Sequence, residues 1–408
     1  MYSQFINPAI VLGGSSNAMG HVWALSKMGV QCHVIVERGL HDFPVKSRFC
    51  KGHISPHPVA EKEQALAYVK AVVASLAEKP VVFFASDDWM AFFGENEAYF
   101  RANTFVPLSP WPDTEKLFNK KYLYRIASEI GIAVPLTLEF NSLREVGDRV
   151  NEIPTPCVLK PDITVEFVEN LPQKIREKTF HRTQKFEDKE MLLDWVNALL
   201  SADVDFSFLV QEFIPGGAET LYTLTSYSNQ HGKLVAGSIG HKLRQFPPEA
   251  GRITSGILCH NEQIWADGKR LLNGIGFFGL ANTEFKYDAR TNEYKLMEIN
   301  ARLGMWNSSA LYAGINFPAI VYADMFDKKV AFMSNTSSCD GAIWLNSALD
   351  FVCAVYLNKK IGYKGALSVR EWFKSIKGKK TDGVFKVKDP APFIFFLVNM
   401  FKYSLKKK

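Results

Sequence analysis

Glu284 and Glu298 stand in two short strand-like segments, NTEFKYD and LMEIN, and Asn300 follows Glu298 by two residues. Side chains alternate along a strand, so Glu298 and Asn300 share one face. Two carboxylates and a neutral amide oxygen are hard ligands of the kind that suit Mg2+. Lys120 at a helix start and Lys160 at the end of the strand CVLKP add cations able to neutralise phosphate oxygens. Lys242 and Arg244 in GHKLRQFPP, and Arg302 just past Asn300, suit a phosphoryl group or a carboxylate. Each residue alone is ordinary: Glu284 on a solvated strand edge, Glu298 in a local ion pair, a lysine on the surface. Only the set points further, to a nucleoside triphosphate held with magnesium. The chemistry it suits is transfer of the γ-phosphoryl group to a carboxylate. The resulting acyl phosphate has a good leaving group that an amine can displace, and the barrier is mostly electrostatic.

These residues need elements to position them. AIVLGG reads as a buried strand, SSNAMGHVWALSKMG as a helix and Val30 to Glu37 as a second strand, a β-α-β unit. A helix from Glu61 to Leu76 leads to the strand Pro80 to Ser86, which ends at Asp87 and Asp88. An open parallel sheet of this kind gathers ligands at the carboxyl ends of its strands. Gly13, Gly14 and Gly20 miss the GxGxxG spacing, so the glycine-rich turn is read as backbone conformation and close packing rather than as a nicotinamide site. Pro107, Pro110 and Pro112 mark the first boundary. NKKYLYRIASEIGIAVP then reads as a helix ending near Gly131, followed by CVLKP, a helix near Lys189 to Ala202, and the strand Phe208 to Ile214. Two antiparallel pairs come next, one turning at His231 and Gly232 and one at Thr291 and Asn292. The expected fold class is α/β and α+β multidomain: a Rossmann-like domain over residues 1–112, a catalytic body over 113–330 with a small subdomain near 155–212, and a C-terminal extension over 331–408.

The chain has 408 residues, 47% hydrophobic and 22% charged, the balance of a globular protein with room for more than one core. Its net charge of +6 is concentrated partly in Lys402, Lys406, Lys407 and Lys408, a local basic tail rather than a nucleic-acid footprint. Six cysteines without a CxxC pair suit reduced thiols in the cytosol, with no zinc site expected. There is no signal-peptide pattern and no apolar run of spanning length, so a cytoplasmic protein is expected.

In order along the chain, NKKYLYRIASEIGIAVP, CVLKP, VQEFIPGGAETLYT, GHKLRQFPPEAG, GLANTEFKYD and LMEINARLGMWNS resemble the ATP-grasp superfamily, in particular its D-aspartate ligase-like branch of carboxylate-amine ligases. The resemblance runs from about Asn7 to Asp324 and implies a pre-ATP-grasp domain followed by an ATP-grasp body. Residue by residue, it implies that Lys120 and Lys160 contact ATP phosphates and that Gln211, Glu212, Phe213 and Ile214 form the adenine hinge. It implies further that Glu219 meets the ribose, that Glu284, Glu298 and Asn300 hold Mg2+ (or Mn2+), and that Lys242, Arg244 and Arg302 lie near the γ-phosphate and acyl phosphate. Two features depart from the pattern. Asn119 stands where relatives often carry Asp, and the stretch after Lys160 lacks the usual glycine-rich phosphate loop, leaving Lys174, Lys178, Arg182 or Lys185 as candidates to cover the triphosphate.

The expected function is an ATP-dependent carboxylate-amine ligase releasing ADP and phosphate, with small-molecule carboxylate and amine substrates. The alternatives are a nucleotide-binding module without catalysis and an ATP-grasp enzyme using another acyl acceptor. Asp87, Asp88, Arg244 and Trp306 are candidates for the acceptor site. The terminal run PFIFFLVNMFKYSLKKK resembles an interfacial helix on an anionic membrane, which would suit a cell-envelope acceptor; packing of the same helix on the body is the competing expectation. The sequence leaves oligomeric state open.

Overall fold

The computed structural model describes residues 5–161, 184–248, 251–328 and 340–406. The chain divides into a larger compact unit, residues 1–132, 217–286 and 296–408, and a smaller one, residues 133–216 and 287–295.

The larger unit begins with a parallel sheet in the order β3-β2-β1-β4, formed by β1 (Ala9–Leu12), β2 (Cys32–Glu37), β3 (Lys51–Ser55) and β4 (Val81–Phe84). β1 lies wholly buried at its centre, as its unbroken apolar run requires. The helix Ser15–Met28 crosses between β1 and β2 and stops at Gly29, whose φ of 71° is the left-handed conformation that closes a helix end. Gly20 lies inside that helix because a β-carbon there would collide with the Asn307 side chain. Space for close packing is therefore the demand this glycine meets. β3, KGHIS, was not legible in the sequence: it carries a glycine and few apolar residues, and it sits at the sheet edge, where such residues are tolerated.

In the smaller unit, β5 (Thr137–Phe140), β6 (Cys157–Pro161), β7 (Gln184–Phe186) and β8 (Phe208–Glu212) form an antiparallel sheet ordered β5-β8-β6-β7. The helix Lys189–Leu200, capped by the Asp188 carboxylate accepting from the Met191 N–H, buries Leu192, Val196 and Leu199. Those residues join Phe140, Leu159, Phe206, Phe208 and Val210 in a separate core.

The larger sheet has seven strands in the order β13-β12-β9-β10-β11-β14-β15, drawn from β9 (Leu221–Ser228), β10 (Leu234–Phe246), β11 (Arg252–Leu258), β12 (Gly279–Asp288), β13 (Glu293–Asn300), β14 (Ile343–Leu345) and β15 (Lys380–Asp382). The tip of the β12–β13 hairpin, residues 287–295, groups with the smaller unit. Both expected antiparallel pairs are present, and β11, β14 and β15 extend them. One core joins this sheet to the parallel one, with Tyr227, Ala236 and Leu280 clustering with Val22, Trp23, Phe83 and Ile320. Gly240 and Gly256 give room to the Trp306 indole, which a β-carbon at either position would approach to 2.7 Å.

The chain closes with the helix Ala391–Lys406, whose Phe396 is buried in the same core against Phe43. The expected packing on the body is what the structure shows for this face.

Candidate functional site

In the larger unit, five of the expected residues come together. Lys120 begins the helix Lys120–Glu129, capped by the Asn119 side-chain oxygen accepting from the Tyr122 N–H at 3.1 Å. An amide oxygen caps as well as a carboxylate does, which accounts physically for Asn in place of Asp. Lys120 Nζ donates to the Met297 carbonyl at 3.2 Å and stands 3.6 Å from Glu298 Oε2. Tyr124, one turn further on, donates to the same carbonyl at 2.8 Å. Asn300 Nδ2 donates to Glu298 Oε1 at 3.1 Å, an arrangement that leaves the Asn300 oxygen as an acceptor. Lys242, on β10, lies 3.8 Å from Glu284 Oε2 on β12.

Burial raises the Glu284 carboxyl above the usual carboxylate range; Lys242 pulls it down, the like charge of Glu298 pushes it up again, and Lys120 and Arg302 pull it down in smaller measure. Two carboxylates and an amide oxygen among three cations form a polar centre in which a divalent cation would relieve the repulsion between the carboxylates. Among the described residues no group of three or more His, Cys, Asp or Glu side chains could hold a metal ion. The donor set instead fits a magnesium whose remaining ligands are phosphate oxygens and water, as is usual for that ion.

Arg302 follows Asn300 and forms a two-pronged pair with Asp87, Nε and Nη2 each donating at 2.7 Å. Its backbone is fixed from the parallel sheet: Asn17 Nδ2 donates to the carbonyls of Ala85 and Leu303, and Asn307 Nδ2 donates to Asn17 Oδ1. Asp87 opens the helix Asp87–Glu95, whose first turn favours acidic side chains. Arg244 points elsewhere. An extra residue on β10 between Lys242 and Arg244 shifts its register against β11, and its guanidinium engages Asp350 and Ser375. Trp306 is buried with Ile253 and Trp344. Glu219 is exposed and accepts from the Gly217 N–H.

In the smaller unit, Lys160 Nζ donates to Gln211 Oε1 at 2.6 Å, joining β6 to β8 at the expected hinge. Glu212 accepts from the Leu136 N–H, Lys295 and Arg290, while Asp288 accepts from Arg290 and Lys295. Burial raises the Glu212 carboxyl, but the Lys295, Leu136 and Arg290 bonds outweigh it and hold the group low. Ile214 is buried, and Phe213 carries Lys185 Nζ over its ring at 4.0 Å. Lys174, Lys178 and Arg182 lie outside the described residues.

Sequence reasoning missed Asp288, Arg290 and Lys295 around the hinge and Asp350, Trp372 and Ser375 around Arg244. No spacing signal could have found them. Arg244 and Asp350 are 106 residues apart, and Glu212 and Lys295 are 83 apart.

No family model matches the chain. D-aspartate ligase from Enterococcus faecium (strain Aus0004) is 27% identical over 291 residues, covering 69% of this chain and 68% of the relative. The L-amino acid ligase of Bacillus licheniformis superposes with a TM-score of 0.57 at 16% identity, covering 79% of this chain and 75% of that one. The chain shares the multidomain fold of these ATP-grasp enzymes. The biotin carboxylase domain of Hydrogenobacter thermophilus 2-oxoglutarate carboxylase, solved in complex with MgADP, has the same fold at 13% identity and a TM-score of 0.56, covering 82% of this chain and 73% of that one.

Proposed function

We propose that this chain is an ATP-grasp ligase that activates a small carboxylate as an acyl phosphate and joins it to an amine, releasing ADP and phosphate. The observation that carries the reading is the gathering of Glu284, Glu298 and Asn300 with Lys120 and Lys242 in the larger unit. A magnesium held there would neutralise phosphate oxygens as charge spreads during transfer. Mn2+ would fit the same oxygen ligands. Lys120 and Lys242 place positive charge beside it, and Arg302 offers a planar fork suited to phosphoryl or carboxylate oxygens. Lys160 is assigned to the phosphates, Gln211 to Ile214 to the adenine edge, and Glu219 to the ribose. For the hinge, support comes from an extended segment whose backbone can pair with the base while Phe213 and Ile214 supply apolar surface.

The acceptor proposed is an amine-bearing precursor of the cell envelope, assembled on the cytoplasmic side. A chain end that is apolar and then basic supports that place. The described cysteines, all free, support a reducing compartment. The experiment is to incubate the purified protein with ATP, Mg2+ and a matrix of amino acids and carboxylates, following ADP and phosphate and identifying products by mass. A new amide with stoichiometric ADP and phosphate is expected; AMP and pyrophosphate would overturn the acyl phosphate route.

A further inference from the structure

The helix Ala391–Lys406 carries apolar side chains on two faces, and the fold uses only one. On the packed face Phe396 is 3% exposed with its ring 5.1 Å from that of Phe43, and Phe393 and Met400 pack against the same core. Asn399 fixes the helix to the parallel-sheet region by donating to Asp42 Oδ1 at 2.9 Å and to the Gly39 carbonyl at 3.3 Å. On the other face Ile394 is 58% exposed, Leu397 and Val398 42% each, and Phe401 66%. Offsets of three, four and seven residues put these four in one stripe along the helix. A folded chain seldom leaves such a stripe open without a use for it.

The charge around the stripe has one sign. From Phe385 to the end the sequence has six lysines and one acidic residue, Asp389. Asp389 is buried and spent inside the fold, accepting from Trp23, Ser47 and the Arg48 N–H. Lys388 and Lys402 are exposed, and Val387, beside Lys388, is 83% exposed. No helix among the described residues is long and apolar enough to cross a membrane.

We propose that the Ile394, Leu397, Val398 and Phe401 face lies in the interface of an anionic lipid surface, with Lys388 and Lys402 on lipid phosphates and the helix parallel to the surface. A second copy of this chain is a poorer occupant, because pairing the stripe with itself brings lysines against lysines. The inference deepens the membrane setting proposed for the acceptor, yet it rests on the helix surface and not on the ATP site.

The test is flotation of the full chain with phosphatidylcholine vesicles, with and without phosphatidylglycerol, at low and high salt. The triple variant Ile394→Gln, Leu397→Gln, Phe401→Gln tests the open face, Phe396→Ala the packed one. Recruitment is expected only to anionic vesicles and to weaken with salt. The triple variant should lose about tenfold or more in binding while melting like the parent, since each apolar side chain withdrawn from lipid forfeits burial. Phe396→Ala should lower the melting temperature. Absence of flotation, undiminished binding by the triple variant, equal binding to neutral vesicles, or a parent dimer that the triple variant splits would each overturn the proposal. Stabilisation of the parent by MgADP, measured in parallel, reports on the ligase reading separately.

Discussion

Arg244 and Asp350 form a two-pronged ion pair: Nε and Nη2 donate to the two carboxylate oxygens at 2.9 and 2.7 Å, and Asp350 is fully buried. The same carboxylate accepts from Thr254 Oγ1 and Trp372 Nε1, each at 2.7 Å. This ties β10 and β11 to the C-terminal region, in which Leu345, Ala354 and Trp372 share a small core. Removing one member of a buried pair strands the other, at a cost of about 3–5 kcal/mol. Asp350→Ala is therefore expected to lower stability by that order in urea unfolding. Arg244→Lys should restore little, because a point charge cannot reproduce the fork. Unchanged unfolding of Asp350→Ala would show that the pair does not hold this region.

Lys160→Ala and Glu298→Ala are expected to fold normally and to lose ADP formation in the product assay. Their binding defects should differ. Lys160→Ala weakens nucleotide binding with or without Mg2+, whereas Glu298→Ala removes the benefit of Mg2+ and spares metal-free ADP binding. Calorimetric titration of each variant with ADP separates the two, and parent-like behaviour of either would remove that residue from the site.

Glu284 gives a pH dependence of known sign. Its carboxyl is held above the usual range, first by burial, so between the ordinary and the raised value the folded chain binds a proton that the unfolded chain has lost. Without metal, this group's contribution to stability falls as pH rises through that window. Mg2+ competes with that proton, so magnesium affinity in the presence of ADP should rise with pH over the same range. Glu284→Gln should flatten the profile as well as weaken the metal; a flat profile in the parent would dissociate Glu284 from the metal site.

His21 is fully buried, and burial lowers its imidazole from 6.5 to about 3. Neither ring nitrogen has a hydrogen-bond partner, and the ring packs 5.1 Å from that of Phe83. The folded state therefore keeps it neutral while the unfolded state takes a proton below pH 6.5. Its contribution is complete above 6.5 and is lost as pH falls toward about 3, on the order of a few kcal/mol in total. His21→Leu is expected to flatten part of the acid limb of stability against pH. The remainder belongs to groups such as His33 and His41, both lowered to about 4 chiefly by burial. An identical acid limb in the variant would refute the assignment.

Local pattern alone determined β1, the helix Ser15–Met28, the helix Lys120–Glu129 and both antiparallel pairs, because apolar period acts over neighbouring residues. It also put Glu298 and Asn300 on one face, which needs only strand alternation. Their company was decided by tertiary structure. Glu284 meets Lys242 because β9 lies between β10 and β12, and Lys120 reaches Glu298 because its helix begins against Met297. A one-residue shift of register sends Arg244 to Asp350 instead of beside Lys242, and no strand period reveals such a shift. The C-terminal helix shows the same division. Its sequence is apolar nearly all round, and only packing could choose Phe396 for the core and leave Phe401 outside. Contacts that close over a hundred residues depend on how whole elements pack, and a linear pattern carries no record of that.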